Sequence, residues 1–105
     1  MRRVELVWEK DCPNVEAARQ VIRDALHQSG LAERWQEWQI GRDALPAHAH
    51  GFGSPTILVD QRDVAGQRGG GSDDCCRVYV TDQGFRGAPS VQAVVDCLAV
   101  DEGQP

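Results

Sequence analysis

The chain has 105 residues, 41% of them apolar and 26% charged, with a net charge of −5. That length allows one domain, residues 1–105, with one modest core. The acidic balance gives no long-range attraction to nucleic acid or an anionic membrane, and the eleven basic side chains form no arginine-rich arm. No apolar stretch approaches the roughly 20 residues that span a bilayer.

Two arginines open the chain, but the apolar run before Glu9 is shorter than a signal-peptide core of roughly 7–15 residues. The expectation is a cytoplasmic protein with no membrane or nucleic-acid partner. In a reducing compartment its four cysteines point to thiols, redox centres or soft-metal ligands, not to a disulfide framework.

Residues 4–8, Val-Glu-Leu-Val-Trp, alternate and are rich in β-formers, which predicts a strand. A loop over 9–13 leads into a helical pattern ending near Gly30, with Val15, Ala18, Ile22, Ala25 and Leu26 on the apolar face. Residues 35–40 predict a second strand with Trp38 and Ile40 on one face, and 43–51 a short helix or a loop. The continuous apolar run at 56–59 predicts a strand buried on both faces. Residues 60–74 contain four glycines and read as a flexible connection. A fourth strand is expected over 77–81 and a turn region over 84–89. Ser90 then caps a helix with Val91, Val94, Val95 and Leu98 in one stripe, and the tail 101–105 frays.

The expected fold class is therefore α/β, in the order β-α-β-(α)-β-β-α, with a mixed four-stranded sheet flanked by helices. This order resembles the thioredoxin-like superfamily. Cys12 follows the first strand, the Gly53-Ser54-Pro55-Thr56 stretch directly precedes the third, and Gly87 lies between the last strand and the final helix. More narrowly, the Asp-Cys-Pro start, the Gly-Ser-Pro-Thr-Ile-Leu-Val-Asp stretch and the Cys-Arg-Val-Tyr stretch resemble small bacterial thioredoxin-like proteins associated with alkylmercury lyase. The resemblance implies that Cys12 is the active-site cysteine and that Pro55 is a cis-proline facing it. The chain departs from a dithiol oxidoreductase at Val15, where a Cys-x-x-Cys motif would carry its second cysteine.

A thiol at a helix N-terminus ionises more easily, and the thiolate is both nucleophile and metal ligand; neighbouring Asp11 pushes the other way. The alternative is a small packed cysteine at a strand–helix junction. The edge beside Ser54 could pair with an extended peptide or glutathione by strand addition, with Pro55 and Thr56 orienting the partner. Cys75 and Cys76 are the candidate resolving or second thiols, and strand alternation lets at most one of them face a given partner. If the fourth strand starts at the far end of the sheet, a gap on the order of 15 Å separates them from Cys12; the connection could instead fold back over the site. Cys97 competes as a partner for either, or packs in the last helix.

His48 and His50, two residues apart, diverge on a helix and make a weak metal pair, while Asp73 and Asp74 read as a solvated pair beside the cysteines. Trp8, Trp35 and Trp38 read as packing residues. The glycine run at 69–71 lacks a nucleotide-loop context.

Three functions compete. The first is thiol-disulfide exchange or related redox chemistry at Cys12, as a monothiol oxidoreductase with glutathione as co-substrate. The second is binding of mercury or another soft ion through Cys12 and Cys76. The third is a non-catalytic thioredoxin-like interaction module.

Overall fold

The computed structural model describes residues 2–67, 69 and 77–99. The elements run β1 (Val4–Glu9), α1 (Val15–Gln28), β2 (Gln36–Ile40), a 3₁₀ turn (Ala47–Ala49), β3 (Thr56–Val59), β4 (Arg62–Asp63), β5 (Tyr79–Thr81), β6 (Gly84–Arg86) and α2 (Val91–Ala99). The main sheet has the order β2-β1-β3-β4, with β1 parallel to β2 and antiparallel to β3, and β4 antiparallel to β3. The molecule is thus α/β, with a mixed four-stranded sheet and two helices. No helix among the described residues is long and apolar enough to cross a membrane.

Side-chain alternation divides the sheet between two cores. Val4 and Leu6 of β1, with Ile57 and Val59 of β3, pack against Ile22 of α1 and Val94 and Leu98 of α2. Both helices therefore cover one face. The other face carries Val7 and Leu58, closed by Ala49 and Phe52 from the long β2–β3 connection and by Trp38 and Ile40 of β2.

Helix α1 forms because Val15, Ala18, Ile22, Ala25 and Leu26 fall on one buried stripe. It stops at Gly30, whose φ of +69° suits glycine. Gly30 N–H donates to His27 O at 3.2 Å and Leu31 N–H to Leu26 O at 2.9 Å, the paired bonds that close a helix C-terminus. At the start of α2, Ser90 Oγ accepts the Ala93 N–H at 3.1 Å.

Three sequence expectations are corrected. The fourth strand of the main sheet is Arg62–Asp63, not 77–81. It forms directly after β3 through a two-residue turn in which Asp60 and Gln61 take φ of 50° and 70°. Asp60 is held there by Arg2 Nη1 at 2.6 Å and Arg3 N–H at 3.0 Å. The first part of the expected connection 60–74 is therefore a hairpin, and residues 70–76 lie outside the described residues, as does the tail 101–105. Second, Tyr79–Thr81 pairs only with Gly84–Arg86 among the described residues, so part of the expected turn region 84–89 is a strand. Third, the loop over 9–13 is as expected but the thiol is not at the helix N-terminus itself: α1 begins at Val15 with Asn14 as its cap residue, two positions after Cys12.

Candidate functional site

Strand β1 ends at Glu9, and the chain turns there: Cys12 N–H donates to Glu9 O at 3.0 Å. This turn draws the Cys12 side chain into the helix-side core, where the residue is only 7% exposed. Because Cys12 stands two residues ahead of the cap, it lies outside the first helical turn, where the helix dipole acts most strongly. Enclosure, more than the helix terminus, defines its environment.

The Ser54–Pro55 peptide bond is cis, and Ser54 Oγ accepts the Glu9 N–H at 2.9 Å. Glu9 therefore bonds to both loops: to Cys12 through its carbonyl and to Ser54 through its N–H. The sequence-expected orienting residue Thr56 is fully buried. Its hydroxyl donates to Gly53 O at 2.7 Å and accepts from Arg77 Nη1 at 3.0 Å, so it braces the turn from within.

Three residues not singled out in the sequence complete the cluster. Arg77 donates its backbone N–H to Ser54 O at 2.9 Å, and its Nη2 reaches Asp63 Oδ2 at 3.0 Å. Both members of this ion pair are buried. The Arg77 guanidinium stacks over the Tyr79 ring at 4.5 Å, and the Tyr79 hydroxyl donates to Pro55 O. Burial pushes the Tyr79 phenol well above its ordinary value; the Arg77 charge opposes this, while Asp63 and a thiolate at Cys12 add to it. Tyr79 is therefore a neutral phenol at any physiological pH.

Arg77 lies beside Ser54, at the Cys12 end of the sheet. Cys75 and Cys76 themselves lie outside the described residues, as do Asp73 and Asp74. Cys12 and Cys97 are both free thiols. Cys97 is half-buried, its Sγ 4.0 Å from Val64 O, and burial followed by the charge of Asp96 pushes its thiol up.

Beside the thiol, Asn14 packs against the Gly87 backbone so closely that a Cβ there would fall 2.2 Å from Asn14 Cγ. A groove of about 570 Å³ opens next to this contact, lined by Asn14, Val21, Thr81, Arg86 and Gln92.

A second polar cluster lies on the other face of the sheet. Glu5 is completely buried, accepts from Trp38 Nε1 at 2.8 Å, and has His48 Nε2 3.0 and 2.9 Å from its two oxygens. His50 Nε2 instead stands 3.1 Å from Leu45 O, so the two histidines serve different partners. Among the described residues no group of three His, Cys, Asp or Glu side chains is arranged to hold a metal ion. Trp8 is half-buried with Arg19 over its ring at 5.3 Å. Its Nε1 makes no hydrogen bond of good geometry, but the Glu37 carboxylate is near enough for the indole dipole to act on it.

Compared with known protein families, curated proteins and solved structures, the chain matches none.

Proposed function

We propose that this chain is a thioredoxin-like thiol protein in which Cys12 carries thiol–disulfide exchange. The sheet order β2-β1-β3-β4, with α1 joining the parallel pair and α2 closing the chain, supports that fold reading. The observation that carries the functional reading is the convergence on Glu9: one residue binds both the Cys12 turn and the Ser54–Pro55 turn. A thiol, a backbone turn and a neutral phenol thereby share one corner of the molecule.

In the reaction, the Cys12 thiolate attacks one sulfur of a disulfide, forming a mixed disulfide and releasing the other sulfur as thiolate. A glutathione thiolate then attacks the substrate-derived sulfur of the mixed disulfide, returning Cys12 as thiolate and leaving a new disulfide; if Cys75 or Cys76 attacks instead, it bonds the Cys12 sulfur, releases the substrate thiolate and leaves an internal disulfide for two glutathione molecules to reduce. Each step makes one S–S bond and breaks one, so no other oxidant is needed.

The test is incubation of the reduced protein with glutathione disulfide, followed by peptide-resolved mass spectrometry. A mixed disulfide on Cys12, lost together with exchange activity in Cys12→Ser, is the expected result. Exchange that survives in Cys12→Ser overturns the reading, and a Cys12 inert to every disulfide favours the non-catalytic interaction module. The mercury-binding reading requires a second thiolate at Cys12; Cys97 is turned to the Val64 carbonyl, so that role would fall to Cys76.

A further inference from the structure

Alternation along the β5 segment turns Tyr79 into the body, where its hydroxyl donates to Pro55 O, and turns Val78 and Val80 away from it. Phe85 of β6 lies directly across from Val80 and so shares the outward face. These three side chains are 67%, 81% and 72% exposed. Among the described residues the exposed large apolar side chains are these three and Leu31, so most of them fall on one hairpin face. An apolar side chain standing alone at the surface needs no explanation, but a cluster of two valines and a phenylalanine on a face held outward does.

The rim of this face carries one charge of each sign. Asp82 sits in the turn that joins β5 to β6, and Arg86 stands at the other end of the hairpin, across from Tyr79. The Arg86 guanidinium folds back and donates to Phe85 O at 3.0 Å, which keeps it beside the apolar cluster. Neither Asp82 nor Arg86 makes an ion pair among the described residues. Opposite charges at the two ends of one apolar stretch are complementary to themselves about a twofold axis. A second hairpin laid antiparallel over the first brings the Asp82 of each copy to the Arg86 of the other.

We propose that the outward face of the β5–β6 hairpin is the contact between two copies of this chain, packed face to face and antiparallel. Val78, Val80 and Phe85 of each copy supply the buried surface, and the two Asp82–Arg86 pairs set the orientation. The three side chains offer on the order of 400 Å² per copy, so two copies bury roughly 800 Å² from them and more from the rim. That total lies near the low end of specific interfaces, which start at about 1,000 Å². The dimer is therefore weak, half-formed at a concentration on the order of 100 μM. It does not depend on the reading of Cys12.

The experiment is sedimentation velocity on the full chain from a few micromolar to about 1 mM, at physiological ionic strength to screen the net charge of −5 on each copy. A reductant is present, so that no disulfide joins two chains. Wild type is expected to pass from monomer to dimer across that range. Val80→Asp and Phe85→Ser lie on exposed positions, keep the wild-type melting curve, and should each weaken association at least tenfold. Arg86→Asp alone sets like charges at both rim pairs and should weaken it several-fold, while the double exchange Asp82→Arg with Arg86→Asp restores it. A wild type that stays monomeric to 1 mM overturns the proposal and leaves a different protein as the occupant of this face. A dimer that survives both Val80→Asp and Phe85→Ser overturns it in favour of another contact surface. Failure of the double exchange to recover what Arg86→Asp loses overturns the antiparallel arrangement.

Discussion

At the scale of single residues, the least replaceable polar group outside the thiol site is Glu5. It sits between Val4 and Leu6 in a strand whose alternation reads as one dry face and one wet face, yet it has no exposed surface. What makes this tolerable is Trp38 Nε1–H and His48 Nε2, both within 3.0 Å of its oxygens. Removing the imidazole leaves a buried oxygen short of a partner. His48→Ala is therefore expected to lower unfolding free energy by about 1–3 kcal/mol in urea titrations. In a Glu5→Leu background the same change should cost much less, because the stranded acceptor is gone. None of this was visible in the sequence: Glu5 and His48 lie 43 positions apart, and no local pattern marks a carboxyl group that will meet an imidazole across a sheet.

At the scale of elements, the join between α1 and the segment leading into α2 is fixed by steric contact between Asn14 and Gly87. Asn14 caps α1 without a side-chain hydrogen bond to it, so its amide contributes little to the helix end. A methyl at position 87 would overlap that amide at 2.2 Å from Cγ. Gly87→Ala should destabilise by about 1–3 kcal/mol through overpacking, and Asn14→Ala should relieve most of that loss, measured as a double-mutant cycle in urea. The sequence announced the strongly periodic elements, α1 and α2, and the unbroken apolar run of β3. It concealed β4, which is two residues long, polar, and created by the Asp60–Gln61 turn without a glycine. It also made 77–81 look like a sheet strand. Alternation is real there, but Val78 and Val80 point to solvent and Tyr79 points in, and a period of two cannot say which face is buried. The cis geometry of Pro55 was legible through resemblance; Arg77 and Tyr79 stood in the Cys-Arg-Val-Tyr stretch with no role attached to them, and Asp63 carried no motif to find it by.

At the scale of the whole molecule, stability against acid depends on carboxylates tied to cations across the fold. Arg19 of α1 forks onto Glu37 of β2 at 2.8 and 2.9 Å, and this bond holds the Glu37 carboxyl below its usual range despite the opposing effect of burial. At Asp60 burial pushes the carboxyl up, but the Arg3 N–H and the Arg2 guanidinium together outweigh it and the net direction is down. Both groups thus bind protons more weakly folded than unfolded. Their contribution is fully present above the unfolded carboxyl range, about pH 4–4.5, and is lost as pH falls through the lower folded values. Unfolding free energy should accordingly decline below about pH 4, be flat between about pH 5 and pH 8, and fall again in alkali, where the raised Cys97 thiol and Tyr79 phenol ionise more easily unfolded than folded. Glu37→Gln should lose about 1 kcal/mol at neutral pH and show a shallower acid limb, read from urea midpoints across pH.

The bond from Tyr79 to the Pro55 carbonyl also gives the molecule a native optical label. The chain contains a single tyrosine, Tyr79, while its three tryptophans stand at 8, 35 and 38. Every phenol signal therefore comes from the side chain bonded to the cis-proline turn, with no second tyrosine to subtract. Second-derivative ultraviolet spectra follow the passage of a phenol from a buried, hydrogen-bonded site to water. They would therefore follow any loosening of the proline turn in unmodified protein.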